Sequence, residues 1–197
     1  TVFIGGGTPT LLSAHQLSRL LFGIKENLNI TGDAEISIES NPKTLNEEKL
    51  FTLKEHGVNR ISIGVQSFSE KELKFLGRVH SSEDAYETIR LAKKYFDNLN
   101  IDLMFALPNQ KKQTVISSLK TALSLKPAHL SCYSLILEEG TELYADYEKG
   151  LLTLQDEDTD RNNFEQICKI LKAHNYNRYE ISNFAISGYE CKHNLTY

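Results

Sequence analysis

The chain has 197 residues, of which 40% are hydrophobic and 24% are charged, and its formal net charge is -4 at pH 7. This length accommodates one domain, or one domain with the start of another, and it suffices to bury a sizeable core. This net negative charge does not indicate the basic surface that nucleic-acid-binding proteins usually have. No apolar run approaches the roughly eighteen residues that a membrane-spanning helix needs.

The cysteines indicate the redox compartment. Cys132, Cys168 and Cys191 are odd in number and form no C-x-x-C pair, which is typical of free thiols in a reducing environment. No signal peptide precedes the first predicted strand. The sequence therefore predicts a soluble, cytoplasmic protein. Because the chain begins inside a strand, we expect it to be a piece of a longer protein.

Short apolar segments alternate with longer amphipathic ones from the first residue onward. The predicted strand Val2–Ile4 is followed by a helix in "SAHQLSRLLFGIKENL", with Ser13 as its N-cap. The second helix lies in "TLNEEKLFTLKEHG", where Thr44 and Glu47 form the spacing of a capping box and Gly57 marks the end. Further helices are predicted in "SSEDAYETIRLAKKYF", "KKQTVISSLKTALSL" and "QDEDTDRNNFEQICKILKAHN".

The remaining strands are predicted at residues 35–40, 60–67, 100–107, 129–135 and 178–183. A regular alternation of strands and helices predicts parallel strands joined by right-handed crossovers. Two architectures fit this pattern, an open doubly wound sheet and a β/α barrel, whole or partial. A complete eightfold barrel usually needs about 250 residues. A short helical insertion is predicted in "LEEGTELYADYEKG".

Polar residues stand at the carboxyl ends of successive predicted strands, where α/β proteins place their chemistry. The first strand ends in the run Gly5-Gly6-Gly7-Thr8, and the next three carry Glu39, Gln66 and Asp102. For any one of these residues alone, solvation or capping of the next helix is the simpler interpretation. Together they predict a rim that suits a zwitterionic ligand carrying hydroxyl groups and an amine.

The glycine run "GGGTPT" matches neither common nucleotide loop. The Rossmann pattern requires a third glycine where Thr10 stands, and Pro9 has no place in it. The G-K-[ST] ending of the P-loop is also missing. Consecutive glycines are costly to order, so they favour a ligand that lies against bare backbone. The residues by themselves thus predict a small-molecule site, without specifying a reaction.

Six segments resemble one known family, in the same order along the chain. They are "GGGTPTLL", "EISIESNP", "RISIGVQSF", "LGRVH", "NIDLMFALP" and "YEISNFAISGYECKHNLTY". The family is the oxygen-independent coproporphyrinogen III oxidase-like branch of the radical S-adenosylmethionine (SAM) proteins, and the resemblance is greatest to its HemW-type heme chaperones. It implies an α/β fold, a partial (β/α) barrel of parallel strands with outer helices that lacks its first βα unit.

The resemblance also implies a domain division and a set of ligand contacts. Residues 1–175 would form the partial barrel, and residues 176–197 the last strand and the connection toward a C-terminal domain. The implied SAM contacts are Gly6, Gly7, Thr8, Glu39, Gln66, Arg78, Asp102 and Ile136. Carboxylates can accept hydrogen bonds from ribose hydroxyls or from the SAM amine, and a guanidinium suits its carboxylate. Ile136 matches a position beside adenine. The alternative for Arg78 is a surface arginine after a helix.

One family motif is missing from this chain. The family binds its [4Fe–4S] cluster through C-x3-C-x2-C on a loop that would precede "TVFIGGGTPT", and the three cysteines here have no such spacing. An iron–sulfur cluster requires positioned thiolates. We therefore assign SAM and the cluster to the full-length protein. We expect this chain by itself to contain no metal site or catalytic residue, to bind neither SAM nor heme firmly, and to be inactive as a radical enzyme.

Two functions of different classes fit the resemblance. One is oxidative decarboxylation of coproporphyrinogen III by a radical SAM oxidoreductase. The other is binding of heme and its transfer to heme-accepting proteins. The stretch "CKHNLTY" resembles the H-N-x-x-Y segment of the chaperone branch, which favours the second function and makes His193 a candidate axial ligand of heme. The alternative for His193 is a polar residue in a connection.

The other histidines indicate no site. His15, His56, His80, His129 and His174 have no carboxylate partner at a recognisable spacing, so structural roles are expected. A remote third possibility is an unrelated β/α-barrel lyase. Such an enzyme would need a strand-borne lysine for a Schiff base, and no predicted strand carries one toward its carboxyl end.

Overall fold

A computed structural model describes residues 1–196 of the chain. Seven strands form one sheet in the order β1-β2-β3-β4-β5-β7-β6. The strands are β1 (Val2–Ile4), β2 (Ile36–Ser40), β3 (Arg60–Gln66), β4 (Leu99–Phe105), β5 (His129–Ser134), β6 (Asn177–Arg178) and β7 (Asn183–Ala185). The first five strands pair in parallel with their sequence neighbours. The predicted parallel β/α arrangement is confirmed for this part of the sheet.

Seven α-helices accompany the strands within residues 1–196. They are α1 (Ala14–Asn27), α2 (Glu47–Glu55), α3 (Glu70–Phe75), α4 (Ser82–Ala92), α5 (Lys112–Ser124), α6 (Glu142–Glu148) and α7 (Glu157–Ala173). The predicted N-cap Ser13 accepts from the backbone N–H of Gln16, whose side chain bonds back to Ser13. Helix α3 was not predicted from the sequence, because six residues are too few to display a helical period.

Alternation along the strands separates two faces of the sheet. The face toward the helices is apolar and buried, and it includes Ile36, Ile38, Ile61, Ile63, Val65, Leu99, Ile101, Leu103 and Leu130. The opposite face is polar, and it includes Ser37, Glu39, Arg60, Ser62, Asn100, Asp102, His129 and Ser131. Parallel sheets are usually apolar on both faces because helices cover both. The polar face therefore indicates a hydrophilic interior.

The sheet curves into a partial barrel around this interior. Phe3 of β1 and Asn183 of β7 line the same cavity, which has a volume of about 270 Å³. In a flat sheet, strands five places apart would be separated by about 24 Å, too far to share a cavity of this size. This curvature confirms the predicted partial barrel and excludes the open sheet. The proposed division at residue 175 stays a prediction.

The predicted strand at residues 178–183 is wrong. Strand β6 pairs antiparallel with β7, and β7 pairs antiparallel with β5. Between them the chain turns: the Glu180 carboxylate accepts from the Ser182 backbone N–H and the Asn183 side chain, and the Tyr179 N–H donates to the Asn183 carbonyl. These local bonds replace the ladder that an extended strand would form.

The capping box predicted from Thr44 to Glu47 is also wrong. Helix α2 begins at Glu47, and its N-cap is Asn46, whose side chain accepts from the Lys49 N–H at 2.9 Å. The Thr44 hydroxyl instead donates to the Asn41 carbonyl at 2.7 Å.

No helix within residues 1–196 is both long and apolar enough to cross a membrane.

Candidate functional site

The glycine run after β1 contains two different kinds of glycine. A Cβ on Gly5 would lie 2.7 Å from Oε2 of Glu39, so the Glu39 carboxylate occupies the space beside it. Gly6 and Gly7 have φ angles of +85° and +78°, and a Cβ on either would contact nothing within 4 Å. Their left-handed backbone requires glycine, and the loop faces open space where a ligand can approach.

Replacing Gly7 with alanine should destabilise the protein by about 1 kcal/mol, because the added Cβ is strained at positive φ. The measurement is the free energy of unfolding in urea. Gly23 in α1 is the matched control, since a Cβ there meets nothing and its φ is ordinary. Gly23→Ala should stabilise the helix by about 0.5–1 kcal/mol. Equal effects from the two substitutions would contradict the assignment.

Three side chains connect the glycine loop to the segment after α3. The Asn41 amide donates to the Thr8 hydroxyl at 2.6 Å, and Arg78 Nη1 donates to Asn41 Oδ1 at 3.2 Å. A Cβ on Gly64 of β3 would lie 2.7 Å from Asn41 Oδ1, so this position of the strand requires glycine. Arg78 is thus partly buried at the rim and is not a surface arginine. Asn41 was not predicted as a site residue, although it follows Glu39 directly in "IESNP".

Gln66 ends β3 in a strained conformation. Its φ is +70°, and the register between β3 and β4 shifts between Gly64 and Gln66. The side chain is 4% exposed, and its Oε1 accepts from the Tyr133 hydroxyl at 2.7 Å. Burial raises the pKa of Tyr133, so this phenol stays protonated and keeps donating. A buried amide held on a strained backbone is a feature that concentrates at ligand sites.

Two carboxyl groups face the same cavity from β2 and β4. Burial and then the charge of Asp102 raise the pKa of Glu39, while the nearby Gly6 N–H opposes the shift. Burial likewise raises the pKa of Asp102, although Asn100 and Ser62 donate to its two oxygens at 2.6 and 3.1 Å. Both groups are therefore easier to protonate than ordinary carboxylates and can pair with a cationic or hydroxyl-bearing ligand.

The contacts bring most of the predicted site residues to one end of the barrel. Thr8, Arg78 and Asn41 form one chain of bonds, Glu39 lies against Gly5 and Gly6, and Gln66 reaches Tyr133. Ile136 follows β5, with a side chain that is 78% exposed. We call the predicted SAM contacts, together with Asn41, the rim. That these residues bind a ligand stays a prediction.

His193 lies beside the beginnings of β1 and β2. Its ring stacks on Phe3 at a centroid distance of 5.0 Å, and its Nδ1 is 3.0 Å from the Thr1 hydroxyl. The buried Glu35 accepts from the backbone N–H groups of Lys192 and His193, at 3.1 and 3.4 Å. The same Phe3 ring lies 3.1 Å from the position of a Cβ on Gly5 and lines one cavity with Glu39 and Asp102, so a single aromatic ring separates His193 from that cavity.

A directed chain of buried hydrogen bonds connects Asp102 to Asn194, which follows His193. Asn100 donates to Asp102, and because its amide oxygen only accepts, His129 Nδ1 donates to it at 2.6 Å. His129 Nε2 then accepts from the Tyr179 hydroxyl at 2.7 Å. Tyr179 in turn accepts from the side chain of Asn194 at 3.3 Å. Burial lowers the pKa of His129 well below its usual value, so the ring is neutral. The structural role predicted for His129 fits these contacts.

The cysteines do not suit a metal cluster. Burial raises the pKa of Cys132 in β5 and of Cys191, and Cys168 lies apart on α7. Cys191 Sγ contacts Glu35 Oε1 at 3.3 Å. Within residues 1–196 no three histidine, cysteine, aspartate or glutamate side chains are arranged to hold a metal ion. The described residues therefore do not fit an iron–sulfur cluster.

The chain is similar to one known family and to several known proteins. Residues 1–122 match the family model of the radical SAM superfamily. The chain is 45% identical to the heme chaperone HemW of Lactococcus lactis and covers 52% of its length. It is 43% identical to HemW of Escherichia coli, covering 51% of that protein. Both matches include 100% of this chain. The chain thus spans about half the length of the curated relatives it matches.

A mitochondrial protein of the mouse, radical S-adenosyl methionine domain-containing protein 1, is 37% identical over the whole chain, which covers 45% of it. Among solved structures, coproporphyrinogen III oxidase HemN of Escherichia coli, described as a radical SAM enzyme, superposes with a TM-score of 0.83 and 29% identity. The match covers 94% of this chain and 43% of HemN. Elp3 of Methanocaldococcus infernus shares the fold, with a TM-score of 0.69 at 21% identity, over 85% of this chain and 44% of Elp3.

Proposed function

The chain belongs to the radical SAM superfamily, and from this premise we propose that the full-length protein is a heme chaperone of the HemW type. Similarity to HemW proteins at 45% identity over the whole chain supports this assignment. Membership of the superfamily implies SAM and a [4Fe–4S] cluster in the full-length protein. The cluster cysteines would come from outside the described residues.

We propose that the rim binds SAM. The open backbone at Gly6 and Gly7 suits the close approach of a ligand. Thr8 and Arg78 offer donors, and the guanidinium of Arg78 can pair with the SAM carboxylate. Glu39 and Asp102 can accept from the amine or the ribose hydroxyls, Gln66 is bonded to Tyr133 of the same cavity, and the exposed Ile136 provides an apolar surface for adenine. SAM, when bound beside a reduced cluster, supplies radical chemistry.

The observation that carries the chaperone proposal is the placement of His193. The segment "HNLTY" begins there, and Tyr197 lies outside the described residues. A metal-binding histidine usually has one ring nitrogen held by a hydrogen bond, and the Thr1 hydroxyl lies 3.0 Å from Nδ1. Its ring stacks on Phe3, which lines the same cavity as Glu39 and Asp102, so heme bound there would lie beside this cavity. We therefore propose His193 as an axial ligand of heme iron.

Heme titration of the full-length protein tests this proposal. Wild-type protein should show a Soret band characteristic of histidine ligation, and His193→Ala should shift or abolish it while SAM binding is retained. Cys191→Ala is the control for the neighbouring thiol, and its spectrum should match the wild type. An unchanged spectrum in His193→Ala would contradict the ligand assignment.

The alternative is oxidative decarboxylation of coproporphyrinogen III. The structural match to HemN at a TM-score of 0.83 favours it, but the identity to HemN is 29% and that to HemW of Lactococcus lactis is 45%. Turnover of coproporphyrinogen III by the reconstituted wild-type protein would establish the oxidase. We propose heme-accepting proteins as partners of this protein. We also propose that it resides in a reducing compartment such as the cytoplasm, because the three cysteines are unpaired.

A further inference from the structure

One buried arginine inside the barrel forms no ion pair at contact distance. Arg60 begins β3 and is 2% exposed. Its Nε has no hydrogen-bond partner, and none of the ion pairs formed within residues 1–196 includes it. A buried charge with an unsatisfied donor costs free energy even when a carboxylate at longer range compensates it in part. The folded protein therefore tolerates a cost at this position that its own packing does not explain.

The Arg60 side chain lines the cavity of about 270 Å³ inside the barrel. Pockets that enclose whole drug-sized ligands have volumes of about 300–1,000 Å³, so this cavity admits an arm of a larger ligand and not a macrocycle. Its walls include Ser62, Asn100, Ser131 and Tyr133, which all carry polar groups. The space beside Arg60 thus suits a small polar group.

Neither carboxyl group in the cavity forms an ion pair with Arg60, although the charge of Arg60 acts on Asp102 and partly offsets the rise that burial causes in its pKa. Asp102 is already bonded to Asn100 and Ser62, and it lies beyond ion-pair distance of the guanidinium. Glu39 lies against the glycine loop at the rim. Register places Arg60 beside Ser37, closer to the beginning of the strands than Glu39, which pairs with Ser62. The cavity is therefore cationic near its floor and acidic toward the rim.

We propose that Arg60 binds a carboxylate of the ligand that enters the barrel, namely an acidic side arm of a tetrapyrrole. The identity of this ligand rests on the proposed function, which assigns a porphyrin to the protein. A planar guanidinium matches a carboxylate through two parallel hydrogen bonds. Because the cavity is too small for a macrocycle, an arm that reaches Arg60 leaves the macrocycle outside it.

The test compares the binding of mesoporphyrin and of its dimethyl ester to the full-length protein by fluorescence. Wild type should bind the diacid at least about tenfold more tightly than the dimethyl ester, because esterification removes a charge-assisted hydrogen bond. In Arg60→Gln this preference should fall to within about twofold. Arg60→Lys should be intermediate, because an ammonium keeps the charge but not the two parallel bonds. Arg19→Gln, at an exposed position of α1, is the matched control and should keep the wild-type preference.

Two measurements distinguish other sources of the carboxylate. SAM also carries one, so SAM affinity is measured for Arg60→Gln and should equal that of wild type. Weaker SAM binding with an unchanged porphyrin preference would overturn the proposal. The Tm of the unliganded Arg60→Gln variant should be equal to or above that of wild type. A Tm lower by more than about 5 °C, with the preference unchanged, would assign Arg60 to an internal ion pair instead.

Failure of the proposed function gives a different result. If neither porphyrin binds wild type, the chaperone proposal fails, and sodium propionate and glutarate alone then test the subsite. A rise in Tm with either salt in wild type that is absent in Arg60→Gln would support a carboxylate site for another ligand. Equal responses of the two proteins would overturn it.

Discussion

Replacing His129 with alanine should lower the free energy of unfolding by about 3 kcal/mol. The residue has no exposed surface, and its loss leaves the Tyr179 hydroxyl without its acceptor and Asn100 Oδ1 without its shortest bond. Buried polar groups that lose a partner cost about 1–3 kcal/mol each. Urea unfolding of the full-length protein measures the effect. His15→Ala, at an exposed position of α1, should change stability by less than about 0.5 kcal/mol.

A double mutant tests whether the bond to Tyr179 carries this cost. Tyr179→Phe removes the same hydrogen bond, so the double mutant should lose less than the sum of the two single losses. Additive losses would show that the side chains act separately. A loss below about 1 kcal/mol in His129→Ala would contradict the role of the ring itself.

We also expect His129→Ala to change how the free energy of unfolding depends on pH. Burial keeps the pKa of folded His129 well below its usual value of 6.5, whereas in the unfolded chain the ring protonates near that value. As the pH falls below 6.5, the unfolded state gains a proton that the folded state does not. Stability therefore declines, by up to about 1.4 kcal/mol per pH unit from this group. His129→Ala should show a correspondingly shallower decline between pH 7 and pH 5.

Replacing Glu35 with alanine should release the segment that carries His193. Its carboxylate accepts from the backbone N–H groups of Lys192 and His193 and contacts the Cys191 thiol, and it is buried at the start of β2. We expect a loss of about 2 kcal/mol in unfolding free energy, the size of hydrogen bonds to a charged group. In full-length protein with heme, the Soret band should change toward that of His193→Ala.

The control for this experiment is Glu139→Ala, an exposed carboxylate in the loop before α6. It removes the same charge from the protein and should leave both stability and the heme spectrum unchanged. If Glu35→Ala is less stable but keeps the wild-type Soret band, Glu35 supports the fold and does not position His193. SAM affinity should be unaffected, since Glu35 lies at the far end of the barrel from the rim.

Much of the fold follows from local patterns. The five parallel strands were predicted because each is a short apolar run bounded by helix caps or glycines, and the long helices because their apolar residues recur at helical spacing. The segment from Tyr179 to Asn183 misled this reasoning. Its composition suits a strand, but the local turn at Glu180 forms where Asn183 pairs antiparallel with Ser131 of β5, a contact that the segment itself does not reveal.

The candidate site was predictable in part. Gly6, Gly7, Glu39 and Asp102 stand at the ends of recognisable strands, so sequence position placed them at one edge. Asn41, Tyr133 and Arg60 were missed. For Arg60 the strands carried a signal, because polar residues alternate with apolar ones at positions 60, 62 and 66 of "RISIGVQ" and at positions 100 and 102 of "NIDLMF". In a parallel sheet covered by helices, this alternation indicates a polar interior.

The sequence by itself determined which residues form strands and helices, since period and capping are properties of neighbouring residues. It also determined the family, because six segments in fixed order carry the resemblance. Only the tertiary structure decided that the last strands turn back antiparallel, that His193 stacks on Phe3, and that Arg60 is buried with its Nε unsatisfied. These facts depend on contacts between residues far apart in the chain, such as Glu35 with His193, and no local pattern records them.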